Sequence, residues 1–390
     1  MQNTRGAAPP RVLAGGGRRY PRPVASGQVS RRLLNRTLMR RQLLDVPSPL
    51  AVPDAVRQVA GLQAQIPRDP YIGLLARLAG FDRDDLTAAI SGRLLVRVAL
   101  MRSTIHLVTG ADCQGFRPVV QPALDRELFT TATWSRPLAG LDLAAVLAQA
   151  RDVLREQPLT ARELGQRLRE HWPDRDGRAL AYAVRNLETL IQVPPRGLWG
   201  QPGLPRYATA RGWLGAGREG VPGEPRAAAQ ALVLRYLAAF GPATVRDVQA
   251  WAGLTRLGEV VESLRPRLRT YAGPGGRELW DLADAELADE DAPAPVRFLP
   301  EYDNAILGYA DRGRILPDGV TFSSYAARLR PRSVVRGGVL IDGFLRGTWA
   351  VSRPDDGEHA LHVEPFVEEG WPAGQVAERG AELLAFTSRA

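Results

Sequence analysis

Few residues in this chain are equipped for chemistry. One cysteine, Cys113, and four histidines, His106, His171, His359 and His362, are its whole stock of thiol and imidazole groups. Their spacing matches no zinc site. His359 and His362 stand three apart in a strand-like stretch, which turns them to opposite faces. The chain contains no lysine, so every basic side chain is an arginine. Schiff-base chemistry on an ε-amine is therefore excluded, and so is a GxxxxGK[ST] phosphate loop. A lone cysteine forbids an internal disulfide and fits a reducing cytoplasm. No metal or cofactor is expected. What stands out is a pair of glutamines, Gln63 and Gln65, in Gly61-Leu62-Gln63-Ala64-Gln65. Carboxamides are neither acids nor bases; they donate and accept hydrogen bonds. Read locally, the pair is the polar end of an amphipathic helix whose apolar face is Val56, Val59, Ala60 and Leu62.

The elements that must position this pair follow from composition and periodicity. With 390 residues, the chain is long enough for two to three domains and a substantial core. Its net charge of +9 and pI near 10.3 point to an anionic partner if the charge is concentrated. Residues 1–28 are rich in Arg, Gly and Pro and lack the apolar core of a signal peptide. They read as a disordered tail or as the product of an upstream start codon. No apolar run approaches a membrane span.

Ser30 is a suitable N-cap for a helix carrying Leu33, Leu34, Thr37, Leu38, Arg41 and Leu44. A second helix starts at Pro53-Asp54 and is predicted to run into Gln63 and Gln65. A third covers Asp84 to Ile90, and Leu94–Val108 alternates as a hairpin does. Three helices and a hairpin make a winged-helix unit. The order recurs twice. Pro158-Leu159-Thr160-Ala161-Arg162-Glu163 and Pro242-Ala243-Thr244-Val245-Arg246-Asp247 each open a helix with a capping-box pattern. A further helix and a strand pair follow each of them. The predicted architecture is mainly α with α+β character, in four parts. Winged-helix units cover 29–135, 136–215 and 225–285, and a β-rich subdomain with a closing helix covers 295–390. Arg211–Pro225 and Leu282–Pro295 read as linkers.

Winged helices most often hold DNA, and here arginines must grip the phosphates. Arg31, Arg32, Arg36, Arg40 and Arg41 crowd the first helix. Arg312, Arg314, Arg328, Arg330, Arg332, Arg336 and Arg346 crowd the C-terminal unit. The expected DNA contacts are Arg102, His106, Arg312, Arg332, Arg336 and Arg346. For His106, a buried and structurally satisfied role stands beside the DNA-facing one.

Several stretches together resemble the AlkZ-type and YcaQ-type DNA glycosylases. They are Gly61-Leu62-Gln63-Ala64-Gln65 and Met101-Arg102-Ser103-Thr104-Ile105-His106-Leu107-Val108. Further on come Phe298-Leu299-Pro300-Glu301-Tyr302-Asp303-Asn304 with Asp311-Arg312, and Val339-Leu340-Ile341-Asp342-Gly343 with Gly347-Thr348-Trp349. Their order and spacing carry the resemblance, from about Ser30 onward. It implies a winged-helix enzyme that excises N7-alkylguanine and unhooks interstrand cross-links in double-stranded DNA. The family's catalytic motif is Gln, an apolar residue, then Gln or Asp. Gln65 places the chain nearer the AlkZ side, which resembles self-resistance enzymes against alkylating natural products such as azinomycin. Ala64 is small for the middle position.

By this resemblance Gln63 and Gln65 are catalytic. Alkylation at N7 makes guanine a cationic, self-sufficient leaving group, so an enzyme need only place a water and stabilise the sugar. The family's DNA-probing hairpin is expected between Arg332 and Arg346. The chain is expected to act as a cytoplasmic monomer and to leave an abasic site uncut. The alternative is a non-catalytic winged-helix regulator that reads one sequence through a recognition helix.

Overall fold

The computed structural model describes residues 27–215, 224–329, 335–352 and 359–388. Ser30 caps the first helix, α1 (Arg31–Arg41), through a bond from the Leu33 N–H. Then come α2 (Val52–Gln58), the two-residue strand β1 (Leu62–Gln63), α3 (Asp69–Leu75) and α4 (Arg83–Ser91). The hairpin β2 (Leu95–Ala99) and β3 (Ile105–Thr109) follows. The long α5 (Gly110–Thr130) and short α6 (Ala132–Leu138) lead away from it.

The next stretch repeats that order. It comprises α7 (Leu143–Glu156), β4 (Leu159–Thr160), α8 (Ala161–Arg169), α9 (Gly177–Leu187), β5 (Leu190–Val193), β6 (Arg206–Thr209) and α10 (Ala210–Leu214). The order returns in α11 (Pro225–Phe240), α12 (Val245–Ala252), α13 (Gly258–Ser263), β7 (Leu268–Ala272) and β8 (Glu278–Leu282). The capping boxes expected at Thr160–Glu163 and Thr244–Asp247 both form. The C-terminal part holds β9 (Arg297–Pro300), α14 (Asn304–Leu307), α15 (Phe322–Arg328), β10 (Val335–Ile341), β11 (Phe344–Ser352), β12 (Ala360–Pro365) and the closing α16 (Ala373–Ser388). Among the described residues, no helix is long and apolar enough to cross a membrane.

Two local expectations fail at the glutamines. The helix does not reach them. It ends at Gln58, and Ala60 (φ 61) and Gly61 (φ 88) turn the chain through left-handed backbone into β1. Gly61 is required there, because a Cβ would lie 2.7 Å from Val108 Cγ1. The other failure is α3, which follows the pair at once and which Pro67 and Pro70 hid. Proline at a first helical turn is compatible with a helix.

The short strand before each hairpin pairs with that hairpin's second strand. Leu62–Gln63 pairs with β3, Leu159–Thr160 with β6, and Ala243 bridges Trp280 of β8. The first two hairpins also join each other, through Arg97↔Gln192 and Val98↔Ile191. The result is one six-stranded sheet ordered β1-β3-β2-β5-β6-β4, with β1 at its edge. A boundary at 135/136 therefore cuts across a continuous sheet.

The first helix also departs from expectation. Its N-terminal end, with Leu34 and the preceding Val29, packs on Tyr271 and Leu279 of the third hairpin, while Leu38 and Met39 join the core that holds Val52, Val56 and Leu62. Its arginines bind protein. Arg36 donates to the carbonyls of Ala292 and Asp342 and pairs with the Asp342 carboxylate. Arg41 grips Asp281 with both Nη atoms, at 2.7 and 2.9 Å. Arg31 and Arg32 reach Asp318 and Asp342. These guanidinium groups staple α1 to the segment 281–342, where backbone carbonyls and carboxylates need donors.

Candidate active site

The edge strand β1 is held from three sides. On the sheet side Gln63 faces His106, and the Ala64 N–H donates to the Ile105 carbonyl at 2.7 Å. Behind it, Nη2 of the buried Arg97 donates to the Ala64 carbonyl at 2.7 Å. On the outer side, Asn304 donates its side-chain amide to the Gly61 carbonyl. Asn304 itself opens α14, which Asp303 caps. Asp303 in turn binds Arg77 through two bonds of 2.8 Å, and both side chains are fully buried. Ala64 is fully buried, so its smallness fits the space between Arg97 and the sheet.

The side chains of Gln63 and Gln65 both anchor on the segment 102–105. Gln63 is buried, with 7% of its surface exposed, whereas Gln65 is exposed. Oε1 of Gln63 accepts from Nη2 of Arg102 at 2.9 Å, and Oε1 of Gln65 accepts from the Ile105 N–H at 3.2 Å.

Neither ionisable side chain beside Gln63, His106 or Arg102, exchanges a proton near neutrality. His106 is fully buried, and its Nδ1 lies 3.0 Å from the Thr104 carbonyl. A carbonyl only accepts, so Nδ1 carries the proton and Nε2 is a bare lone pair. Burial first, and then the Arg102 charge, push the imidazole down to about 3. Arg102 is brought down to about 10 by burial, with repulsion from Arg312 adding to it, and so remains a cation. The site thus offers hydrogen-bond donors and acceptors under a positive field.

The expected DNA contacts divide. Arg102 bonds Gln63, and Arg312 lies close enough to Arg102 for its charge to act on that guanidinium. Arg312 is half-buried, donates Nε to the Ile306 carbonyl, and lies 4.4 Å from the Phe322 ring centroid. His106 is not a surface group, because its ring is sealed inside the sheet. Arg336 is also removed from the surface, buried in an ion pair with Glu301 at 2.6 Å. Such a pair needs its partner because an isolated buried cation is costly. Arg346 donates to the Glu369 carbonyl at 3.3 Å, away from the glutamines in sequence and bonding. Arg332 lies outside the described residues, as does Arg330.

The hairpin between 332 and 346 turns at Asp342-Gly343, both in left-handed backbone. That tip is docked on α1, and a Cβ on Gly343 would lie 2.1 Å from Asn35 Oδ1. It is not free to probe a duplex.

Sequence reasoning overlooked Arg97, Asn304 and Arg68. Asn304 lies inside a quoted motif yet had no assigned role. Arg97 follows the alternation of β2, which says nothing of its reach to Ala64. Arg68, exposed and third after Gln65, lies 5.4 Å from the Trp199 ring centroid.

The sequence matches the family described as DNA glycosylase AlkZ-like over residues 56–386. The interstrand DNA cross-link repair glycosylase of Streptomyces sahachiroi is 26% identical over 376 residues, covering 88% of this chain and 93% of that protein. The solved structure of Streptomyces sahachiroi DNA glycosylase AlkZ superposes with a TM-score of 0.73 at 22% identity, over 93% of this chain and 97% of the other.

Proposed function

The chain belongs to the AlkZ-like DNA glycosylase family, and we propose that it is a monofunctional enzyme that hydrolyses the N-glycosidic bond of N7-alkylguanine and unhooks interstrand cross-links in duplex DNA. The observation that carries this reading is the Gln63–Gln65 pair on a rigidly braced edge strand, beside a neutral imidazole and a cation. The groups beside the pair have hydrogen bonds to offer, and neither His106 nor Arg102 serves as an acid or base near neutrality. It suits a substrate whose base is already a good leaving group, and a water that only needs placing. The thrice-repeated order of helix, short strand, helices and hairpin supports three winged-helix units over 29–135, 136–215 and 225–285. A β-rich subdomain over 295–390 braces the catalytic strand. The family does not favour the regulator alternative.

The test uses a duplex carrying N7-methylguanine and a second carrying a nitrogen-mustard cross-link. Base release should be followed by strand scission only after alkali, because no lysine amine can form a Schiff base. No release from either substrate at enzyme excess overturns the reading.

The protonation states set a pH profile. His106 is neutral above about 3 and Arg102 is cationic below about 10. The single-turnover rate of base release should therefore be flat between pH 6 and 9, buffers ~6 to ~9 spanning the interval in which neither group titrates. A bell-shaped or sigmoidal profile there would place an unrecognised acid or base in the reaction.

Two exposed arginines near the site are proposed to hold phosphates. Arg68 follows the glutamines. Arg256 sits at φ 61 in the turn after α12, three residues past Gly253, which packs on the Arg102 backbone. Arg68→Ala and Arg256→Ala should each reduce the slope of log K against log salt by about 0.9, read by fluorescence anisotropy in a salt titration. Unchanged slopes would remove them from the interface.

A further inference from the structure

The hydrogen bonds of the two glutamines fix which way their amides face. A guanidinium and a backbone N–H can only donate. The atom that Gln63 turns to Arg102, and the atom that Gln65 turns to Ile105, must therefore be the carbonyl oxygen. Each side-chain NH2 points away from its anchor. Among the described residues, nothing accepts from either NH2 group.

The anchor of Gln63 is itself held under strain. Arg102 (φ 56) and Ser103 (φ 57) are consecutive non-glycine residues in left-handed backbone, a conformation that a Cβ disfavours. Several bonds maintain the turn. Nη1 of Arg102 donates to the Trp251 carbonyl at 2.6 Å, and Ser103 Oγ donates to the Ala123 carbonyl at 3.3 Å. From the other side Gly253 presses so closely that a Cβ there would lie 2.9 Å from the Arg102 nitrogen. The end of α12, in the third repeat, thus holds the arginine that holds the glutamine of the first. No carboxylate is bonded to this guanidinium among the described residues. Its charge falls on the Gln63 carbonyl, which polarises the amide and strengthens its N–H donors.

We propose that Arg102 is a positioning residue of the glycosylase reaction, which locks the Gln63 amide with its carbonyl inward and its polarised NH2 presented to the water or the reacting nucleotide. This rests on the glycosylase reading above. It revises the expectation that Arg102 binds DNA phosphate. One N–H of each Nη is held by a protein acceptor, which fixes the plane of the guanidinium, and the proposed action on DNA runs through Gln63.

The experiment is single-turnover base release from an N7-methylguanine duplex at saturating enzyme. Affinity for undamaged duplex and the thermal midpoint are measured in parallel. Arg102→Met keeps the bulk and removes the donors, and should lower the saturating rate about 10- to 100-fold while duplex affinity changes less than about threefold. Arg102→Lys keeps the charge but cannot span the Trp251 carbonyl and Gln63 together, so it should not restore the rate.

If Arg102→Met lowers affinity and flattens its salt dependence while the saturating rate is unchanged, Arg102 is a phosphate contact and the proposal is overturned. Gln63→Glu serves if the arginine variants fail to fold. A carboxylate keeps the bond to Arg102 but has no NH2, so the rate should fall as far as it does in Gln63→Ala. A wild-type rate in Gln63→Glu overturns the proposal. Wild-type protein runs in the same assay. Its inactivity on both methylated and cross-linked duplexes rejects the glycosylase reading, whereas wild-type release with an unimpaired Arg102→Met rejects only the role given to Arg102.

Discussion

Gln65→Ala should cut the single-turnover rate of N7-methylguanine release on the order of 100-fold and leave duplex affinity and thermal stability close to wild type. The side chain is exposed and makes one 3.2 Å bond, to the Ile105 N–H. Its removal frees the Ile105 N–H at the accessible end of the strand and leaves the charged Arg102 anchor intact, and the thermal midpoint measured alongside separates a rate loss from unfolding. Gln63→Ala should lose at least as much activity. It also strands one Arg102 N–H in a part-buried position, at a cost of about 1–3 kcal/mol. The two variants therefore separate chemistry from scaffold, and the exposed one does so more cleanly. Full activity in the double variant would remove both residues from the mechanism.

Asp303→Ala is expected to be the most destabilising single change near the site, by about 3–5 kcal/mol in chemical denaturation. It leaves the Arg77 guanidinium fully buried, with only the carbonyls of Gln42 and Gly73 as partners. It also uncaps α14, which carries Asn304. The strand β1 then loses its outer brace, so activity should fall at temperatures where wild type is stable. Arg77→Met combined with Asp303→Leu removes both charges at similar bulk and should recover most of the lost stability. A double variant as unstable as the single one would show that the pair acts through the cap and not through charge burial.

Much of the frame was legible because it rests on local rules. Thr160–Glu163 and Thr244–Asp247 are capping boxes that a short window reveals, and β9 to β12 with α16 lie where a β-rich stretch with a closing helix is expected. The site was less so. Comparison of the repeats explains why the glutamines looked like a helix end. Leu62–Gln63 occupies the place of Leu159–Thr160, the short strand that pairs with the second hairpin strand. In the later repeats a threonine there caps the next helix directly. In the first, Gln63 stands in that position and the chain continues through Gln65 before α3, so the capping signal that would have marked the strand is missing.

The arginines misled for a different reason. Composition reports charge but not its partner. Arg36, Arg41 and Arg336 spend their charge on carboxylates distant in sequence, which no local pattern shows. His106 was ambiguous until the register placed it inside the sheet.

The brace on β1 has a temporal side as well. Gly61 is emitted by the ribosome long before Asn304, the residue that ties down its carbonyl, and Arg77 long before Asp303. Arg102 waits for Trp251 in the same way. Chains are released vectorially and fold from the N-terminal side first, so a nascent chain exposes the glutamine segment without the groups that orient it. On the function proposed above, competence for hydrolysis waits until Asn304 has emerged, and a product terminated before that residue lacks the outer brace of the glutamine segment.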